Sequence, residues 1–207
     1  MTILEEVEDY IRNVGEVLKL LPKGEIVRFI EMLEDTYRGD KKVITMGNGG
    51  HGATASHYVN DLIKHLVVSD NKKEIVIGKR MKALCLNDNV FTLTAFANDM
   101  GYEHSFSESL KNWVEEGDLV IGISGSGNSM NIINAFLVAK EKGARTICLS
   151  ARDGGKAKKV ADLSIIVPTH DMITAQEMLY LEDLHLLICH LSTYVVRQRI
   201  QARNEYS

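Results

Sequence analysis

Apolar and polar positions follow two different periods along this 207-residue chain. Over residues 2–21 and 25–38 apolar side chains recur every three to four positions. That spacing predicts two helices, broken at Leu21-Pro22-Lys23-Gly24. Beyond residue 40 the apolar positions gather into short runs. Val43-Ile44-Thr45-Met46, Met81 to Leu86, Leu119 to Ile123, Arg145 to Leu149 and Leu163 to Val167 read as five strands, the last ending at Pro168. Helical patterns separate them: one running to about residue 66, one over 129–142, and a long last one over about 173–201. Strands alternating with helices predict a parallel sheet covered on both faces, a three-layer αβα sandwich. The segment 67–80, VVSDNKKEIVIGKR, is polar at its centre and reads as an exposed hairpin or loop.

Composition narrows the function classes. At roughly 150 residues per domain, 207 residues predict one domain, 1–207, with the helical pair of residues 1–40 packing on the core or on a neighbouring subunit. The 45% apolar and 25% charged content excludes disorder. A net charge of −4 excludes a domain-wide electrostatic grip on nucleic acid. The opening MTILEEVEDY has neither the basic start nor the apolar run of a signal peptide, and no run reaches the 18 or so apolar residues that span a bilayer. Cys85, Cys148 and Cys189 are odd in number, far apart and set in apolar runs, so they read as reduced core thiols. The expectation is a cytoplasmic protein with neither a nucleic-acid nor a membrane partner. The composition is unusual in having 16 Gly against 2 Pro, which suggests tight strand-to-helix turns.

Two turns concentrate those glycines. Gly47-Asn48-Gly49-Gly50-His51-Gly52 follows the first strand, where glycine lets the backbone approach a ligand and the next helix offers free N–H groups. The spacing satisfies GxGxxG. The acid expected about 20 residues later could only be Asp70, which sits in a polar stretch, so no nucleotide cofactor is expected. Ser124-Gly125-Ser126-Gly127-Asn128-Ser129 follows the third strand. Its three hydroxyls exceed what one helix cap needs and suit the oxygens of a phosphate monoester. In an open α/β sheet both turns fall at the carboxyl ends of strands, where ligands bind.

These pieces carry a family resemblance that covers nearly the whole chain. MGNGG at 46–50, the helix from His57 to Asp61, FANDMGY at 96–102, EEGDLVIGISGSGNSMNII at 115–133 and AKEKGARTICLSARDGGK at 139–156 resemble the sugar isomerase (SIS) domain proteins, and within them the phosphoheptose isomerases. The resemblance implies a flavodoxin-like five-stranded sheet with two N-terminal helices and a long C-terminal helix. It implies that Asn48, Gly49 and Gly50 line the substrate, that Asn98 and Asp99 touch the sugar chain, and that the turn of Ser124, Gly125, Ser126 and Ser129 holds the phosphate. It implies Asp61 and His190 as acid and base. It also implies a metal site of His57, Asp61, Glu182 and His190 for zinc or another divalent ion, with Glu182 also at the substrate. A second register of the last helix, Glu177 with His185, keeps the same eight-residue spacing. Three departures stand out: His51 where the family usually has serine, Asp61 where it has glutamate, and Glu182 where it has glutamine. His65, His104 and His170 read as structural or surface residues.

The chemistry implied is an aldose–ketose isomerisation through an enediol. It needs a base, a proton donor and a group that stabilises developing enolate charge. His57 and Asp61, four apart, share a helix face, and Glu182 and His190 lie about 80° apart around theirs. The family reaction converts sedoheptulose 7-phosphate to glycero-manno-heptose 7-phosphate, in a homotetramer or homodimer whose active sites lie at subunit interfaces. The alternative is a non-catalytic SIS protein that senses a sugar phosphate or serves as an adaptor binding a replication initiator. Retention of a carboxylate at Asp61 favours the enzyme.

Overall fold

A computed structural model describes residues 1–68, 79–169 and 177–203. Five parallel strands form one sheet: β1 (Lys42–Gly47), β2 (Lys82–Cys85), β3 (Leu119–Ile123), β4 (Arg145–Ala151) and β5 (Leu163–Val167). Their order is β2-β1-β3-β4-β5, the flavodoxin-like order in which the chain reverses direction across the sheet beside β1. Registers such as Thr45↔Ile121 and Ile121↔Ile147 align the three central strands.

Alternation along the strands sends side chains to two separate cores. Val43, Leu119, Ile121, Ile147 and Ile165 pack on one face with α2 (Lys23–Arg38), α3 (Gly50–Asn60) and α8 (Glu177–Ala202). Ile44, Met46, Val120 and Cys148 pack on the other with α5 (Ser105–Leu110), α6 (Met130–Glu141) and α7 (Ala157–Val160). Each core strand is therefore buried on both sides, which is why its sequence reads as an apolar run. All three cysteines are free and buried, and burial pushes each thiol up, that of Cys148 to about 12.

The N-terminal pair divides its roles. In α2 Phe29, Ile30, Leu33 and Tyr37 are buried in the first core. In α1 (Ile3–Lys19), capped by the Thr2/Glu5 capping box, only Val17 is buried, and Ile3, Leu4 and Ile11 stay mostly exposed. Between β2 and β3 the chain forms α4 (Val90–Met100), a 3₁₀ turn at Tyr102–His104 and α5, which the apolar spacing did not reveal. The reason lies in α4: no residue of VFTLTAFANDM is fully buried, Leu93 only packs partly against the second core, and apolar residues stand on all sides of the helix. The expected loop at 67–80 falls mainly on residues 69–78, and the start of the last helix on 170–176, both outside the described residues. Among the described residues no helix is long and apolar enough to cross a membrane.

Candidate active site

The two glycine-bearing turns leave the carboxyl ends of β1 and β3, which are neighbours in the sheet. Between them lies the point where strand order reverses, the place where open α/β sheets bind ligands. Gly49 has φ +56°, a left-handed conformation that turns the chain into α3. Gly127 has φ +65°, and a Cβ there would collide with the carbonyl of Gly154. The hydroxyls of Ser124 and Ser129 pair at 3.0 Å, so one of their two protons stays available. Ser126 Oγ accepts from Asn128 N–H at 3.2 Å, which leaves its own proton to donate. Hydroxyl donors and helix N-termini thus meet at this end of the sheet.

Helix α8 lies along α3 in the same direction. Glu182 meets the start of α3, His185 meets His51, His190 meets His57, and Ser192 meets Tyr58 at 2.6 Å. The half-buried Glu182 carboxylate occupies the space where a Cβ on Gly50 would stand, at the positive end of α3. Below it, His185 Nε2–H donates to the Ser150 carbonyl at 3.1 Å. A carbonyl only accepts, so Nδ1 of a neutral His185 carries the lone pair. His51 Nε2–H therefore donates to it, at 3.0 Å. Burial lowers the pKa of His51 from 6.5 to about 4. Burial, then the neighbouring His51, lowers that of His185 to about 3, against the pull of the Ser150 carbonyl. The ring edge of His51 reaches Gly125, so the residue standing in place of the family serine wedges between the two turns.

At the far end of α3 three donors converge. His57 Nε2 and His190 Nε2 are 3.0 Å apart, and Asp61 Oδ2 lies 3.5 Å from the first and 3.3 Å from the second. Two zinc ligands at bond lengths of about 2.0–2.1 Å in tetrahedral geometry stand about 3.3–3.4 Å apart, so this triangle has the dimensions of one metal face. Asp61 Oδ2 is buried without a hydrogen-bond partner, as a metal ligand would be before its ion is added. The two imidazoles are about half exposed, so the remaining coordination positions open outward. A short π-helical turn at Asp61–His65 ends α3 here. His65, which reads from the sequence as structural or surface, belongs to this cleft. Its Nε2 lies 3.5 Å from Asp61 Oδ1, and it lines the same space of about 340 Å³ with Tyr194. The signal for it is the four-residue spacing of His57, Asp61 and His65.

Of the expected metal set, the structure brings together His57, Asp61 and His190. Glu182 is not part of the converging group. Eight residues of helix separate it from His190 by about 12 Å along the axis, a distance the angular spacing conceals. In the second register His185 is locked to His51 and Ser150, away from the triangle.

Asn48 faces a cavity of about 620 Å³ with Tyr102, Glu103, Ser129, Met130 and Asn131. Asn98 and Asp99 do not line this cavity. They are exposed on the last turn of α4 and bonded to each other at 2.8 Å. Asn131 and Tyr102, which hold Asn48, lie inside the stretches 115–133 and 96–102 that carry the resemblance, though their spacing alone assigns them no role.

A switch-point sheet with paired phosphate-type turns and a histidine–carboxylate centre defines the sugar-isomerase class of α/β proteins. The SIS domain family model matches residues 8–151. The phosphoheptose isomerase of Sulfurimonas denitrificans is 40% identical over 199 residues, 96% of this chain and 88% of that protein. That of Geobacter sulfurreducens is 33% identical over 201 residues, 96% and 99% of the two chains. The solved phosphoheptose isomerase of Neisseria gonorrhoeae superposes with a TM-score of 0.78 at 27% identity, over 95% of this chain and 100% of that one. The chain belongs to the phosphoheptose isomerase family of SIS-domain proteins and is an isomerase.

Proposed function

We propose that this protein is a phosphosugar isomerase that converts sedoheptulose 7-phosphate to D-glycero-D-manno-heptose 7-phosphate through an enediol. The observation that carries the reading is the triangle of His57, Asp61 and His190 with its orphaned carboxylate oxygen. The phosphate docks on the turn of Ser124, Gly125, Ser126 and Ser129, and the Gly49 and Gly50 amides face the sugar. From the start of α3 to His57 is about 10 Å at 1.5 Å per residue, a reach that suits an extended sugar chain. The family relatives named above support the heptose assignment.

Asp61 takes the proton from one carbon, and His190 serves as its counterpart, returning a proton at the neighbouring position. A bound divalent ion, zinc in this reading, supplies Lewis-acid stabilisation of enolate charge. His57, Asp61 and His190 would hold it. Glu182, placed over Gly50, lies at the sugar rather than at the ion, where its carboxylate accepts hydroxyl protons. In this reading Asn98 and Asp99, exposed at the end of α4, touch the sugar chain from outside the Asn48 cavity. Exposed apolar residues on α1 (Ile3, Leu4, Ile11) and α4 (Phe91) support a homotetramer or homodimer, and the setting proposed is the cytoplasm. A coupled assay with sedoheptulose 7-phosphate, with and without added zinc, tests the reading. Absence of turnover of any ketose or aldose phosphate by a zinc-loaded sample would refute it.

A further inference from the structure

The amide of Asn48 is held by a chain of bonds that starts from a group with only one possible role. The backbone N–H of Ile132 can only donate, and it donates to Asn131 Oδ1 at 3.0 Å. That fixes which end of the Asn131 amide carries hydrogens. Asn131 Nδ2 then donates to Asn48 Oδ1 at 2.9 Å, while Asn48 Nδ2 donates back to Asn131 Oδ1 at 3.1 Å. Tyr102 O–H donates to the same Asn48 oxygen at 2.7 Å. Asn131 is 2% exposed, so water does not compete for this pair.

These bonds use up nearly all of the amide's capacity. A carbonyl oxygen has two lone pairs, and those of Asn48 are taken by Asn131 and Tyr102. An amide nitrogen has two hydrogens, and one is taken by Asn131. The single bonding position left on Asn48 is one N–H, beside the cavity that Asn48 shares with Ser129. Without the clamp the amide could present oxygen or nitrogen equally well. Tyr102 contributes from the 3₁₀ turn after Gly101, a turn also tied to α6 by Asn134 Nδ2 donating to the Glu103 carbonyl at 2.8 Å.

We propose that Asn131 and Tyr102 are positioning residues that set Asn48 to donate to an acceptor oxygen on the sugar chain, a carbonyl or hydroxyl oxygen near the phosphorylated end. This rests on the phosphosugar reading above and adds to it which kind of atom position 48 selects. Among the described residues neither side chain hydrogen-bonds the serine turn, so the clamp serves the sugar and not the phosphate.

The test uses the full chain and two ligands, sedoheptulose 7-phosphate as substrate and inorganic phosphate as a competing inhibitor. The variants are Asn131→Leu, of similar volume but unable to hydrogen-bond, and Tyr102→Phe at an exposed site that the fold tolerates. Asn131→Leu is expected to raise KM for the sugar phosphate about tenfold, the equivalent of about 1.4 kcal/mol. Tyr102→Phe raises it about threefold, since Asn131 still holds the amide. In both, kcat stays within a few-fold of wild type and the inhibition constant of inorganic phosphate is unchanged. Parallel weakening of both ligands would mean that the residues merely support the serine turn, and would overturn the proposal. So would wild-type KM values in both variants while the wild type turns over normally; that result would leave the phosphosugar reading standing. A wild type that neither binds nor converts the sugar phosphate would overturn both.

Discussion

The buried His51–His185 pair makes stability depend on pH in a way that can be worked out in advance. Both rings are neutral in the native state because burial lowers their pKa values, from 6.5 to about 4 and about 3. In the unfolded chain each titrates near its ordinary 6.5. The unfolded state therefore binds more protons as pH falls through 6.5, and acid destabilises the fold. The stabilising effect of the neutral pair is fully present above about pH 7.5. It declines from there until the native rings themselves protonate, near pH 4 and 3. At pH 5 each histidine has lost about 2 kcal/mol, and the pair about 4 kcal/mol. That is a large part of the roughly 5–15 kcal/mol typical of a folded domain. Urea unfolding at pH 7.5 and 5.0, at fixed protein concentration and with chelator present throughout, measures it. The comparison is with the double variant His51→Gln/His185→Gln, in which the amide introduced at position 185 can still reach the Ser150 carbonyl. Wild type should lose about 4 kcal/mol more than the variant between the two pH values. Equal losses, within about 1 kcal/mol, would refute the neutral-pair assignment.

Other expectations follow from named contacts. Asp61→Asn keeps the shape of the triangle but removes its charge. Turnover should fall by about 10²- to 10⁴-fold, while calorimetry still detects sugar-phosphate binding. His57→Ala should lower the zinc content of purified protein, read by elemental analysis, because it leaves two of three donors. Ser124→Ala removes one of the two paired hydroxyls, and KM for the sugar phosphate should rise about tenfold. Gly127→Ala forces a Cβ against the Gly154 carbonyl at φ +65°, and should lower the thermal midpoint and abolish phosphate binding together.

The parts of this protein that were legible in its sequence are those governed by local spacing. Leu119–Ile123 lies in the sheet interior and Leu163–Val167 at its edge, and in both the apolar run marks the strand's ends to the residue. The two turns were legible because glycine and serine cluster there for steric and hydrogen-bonding reasons. Helix α4 was not, because none of its residues is fully buried and Phe91 and Ala95 put apolar side chains outside the Leu93–Phe96 face, which blurs the helical period. The resemblance puts Glu182 with His190 in one metal set, but the axial rise of the helix holds the two about 12 Å apart. Asn131 and Tyr102 act on Asn48 from 83 and 54 residues away. No spacing along the chain encodes contacts that the fold makes across it.

The central question is whether the triangle of His57, Asp61 and His190 moves a sugar's proton. The direct measurement is ¹H NMR of sedoheptulose 7-phosphate in D₂O with zinc-loaded protein, beside chelator-treated wild type and Asp61→Asn. Proton transfer through an enediol predicts formation of the heptose aldose phosphate with solvent deuterium at C2 in the zinc-loaded wild type, and loss of both signals in the other two samples. No conversion by the loaded wild type, or conversion that survives both chelation and Asp61→Asn unchanged, would contradict it.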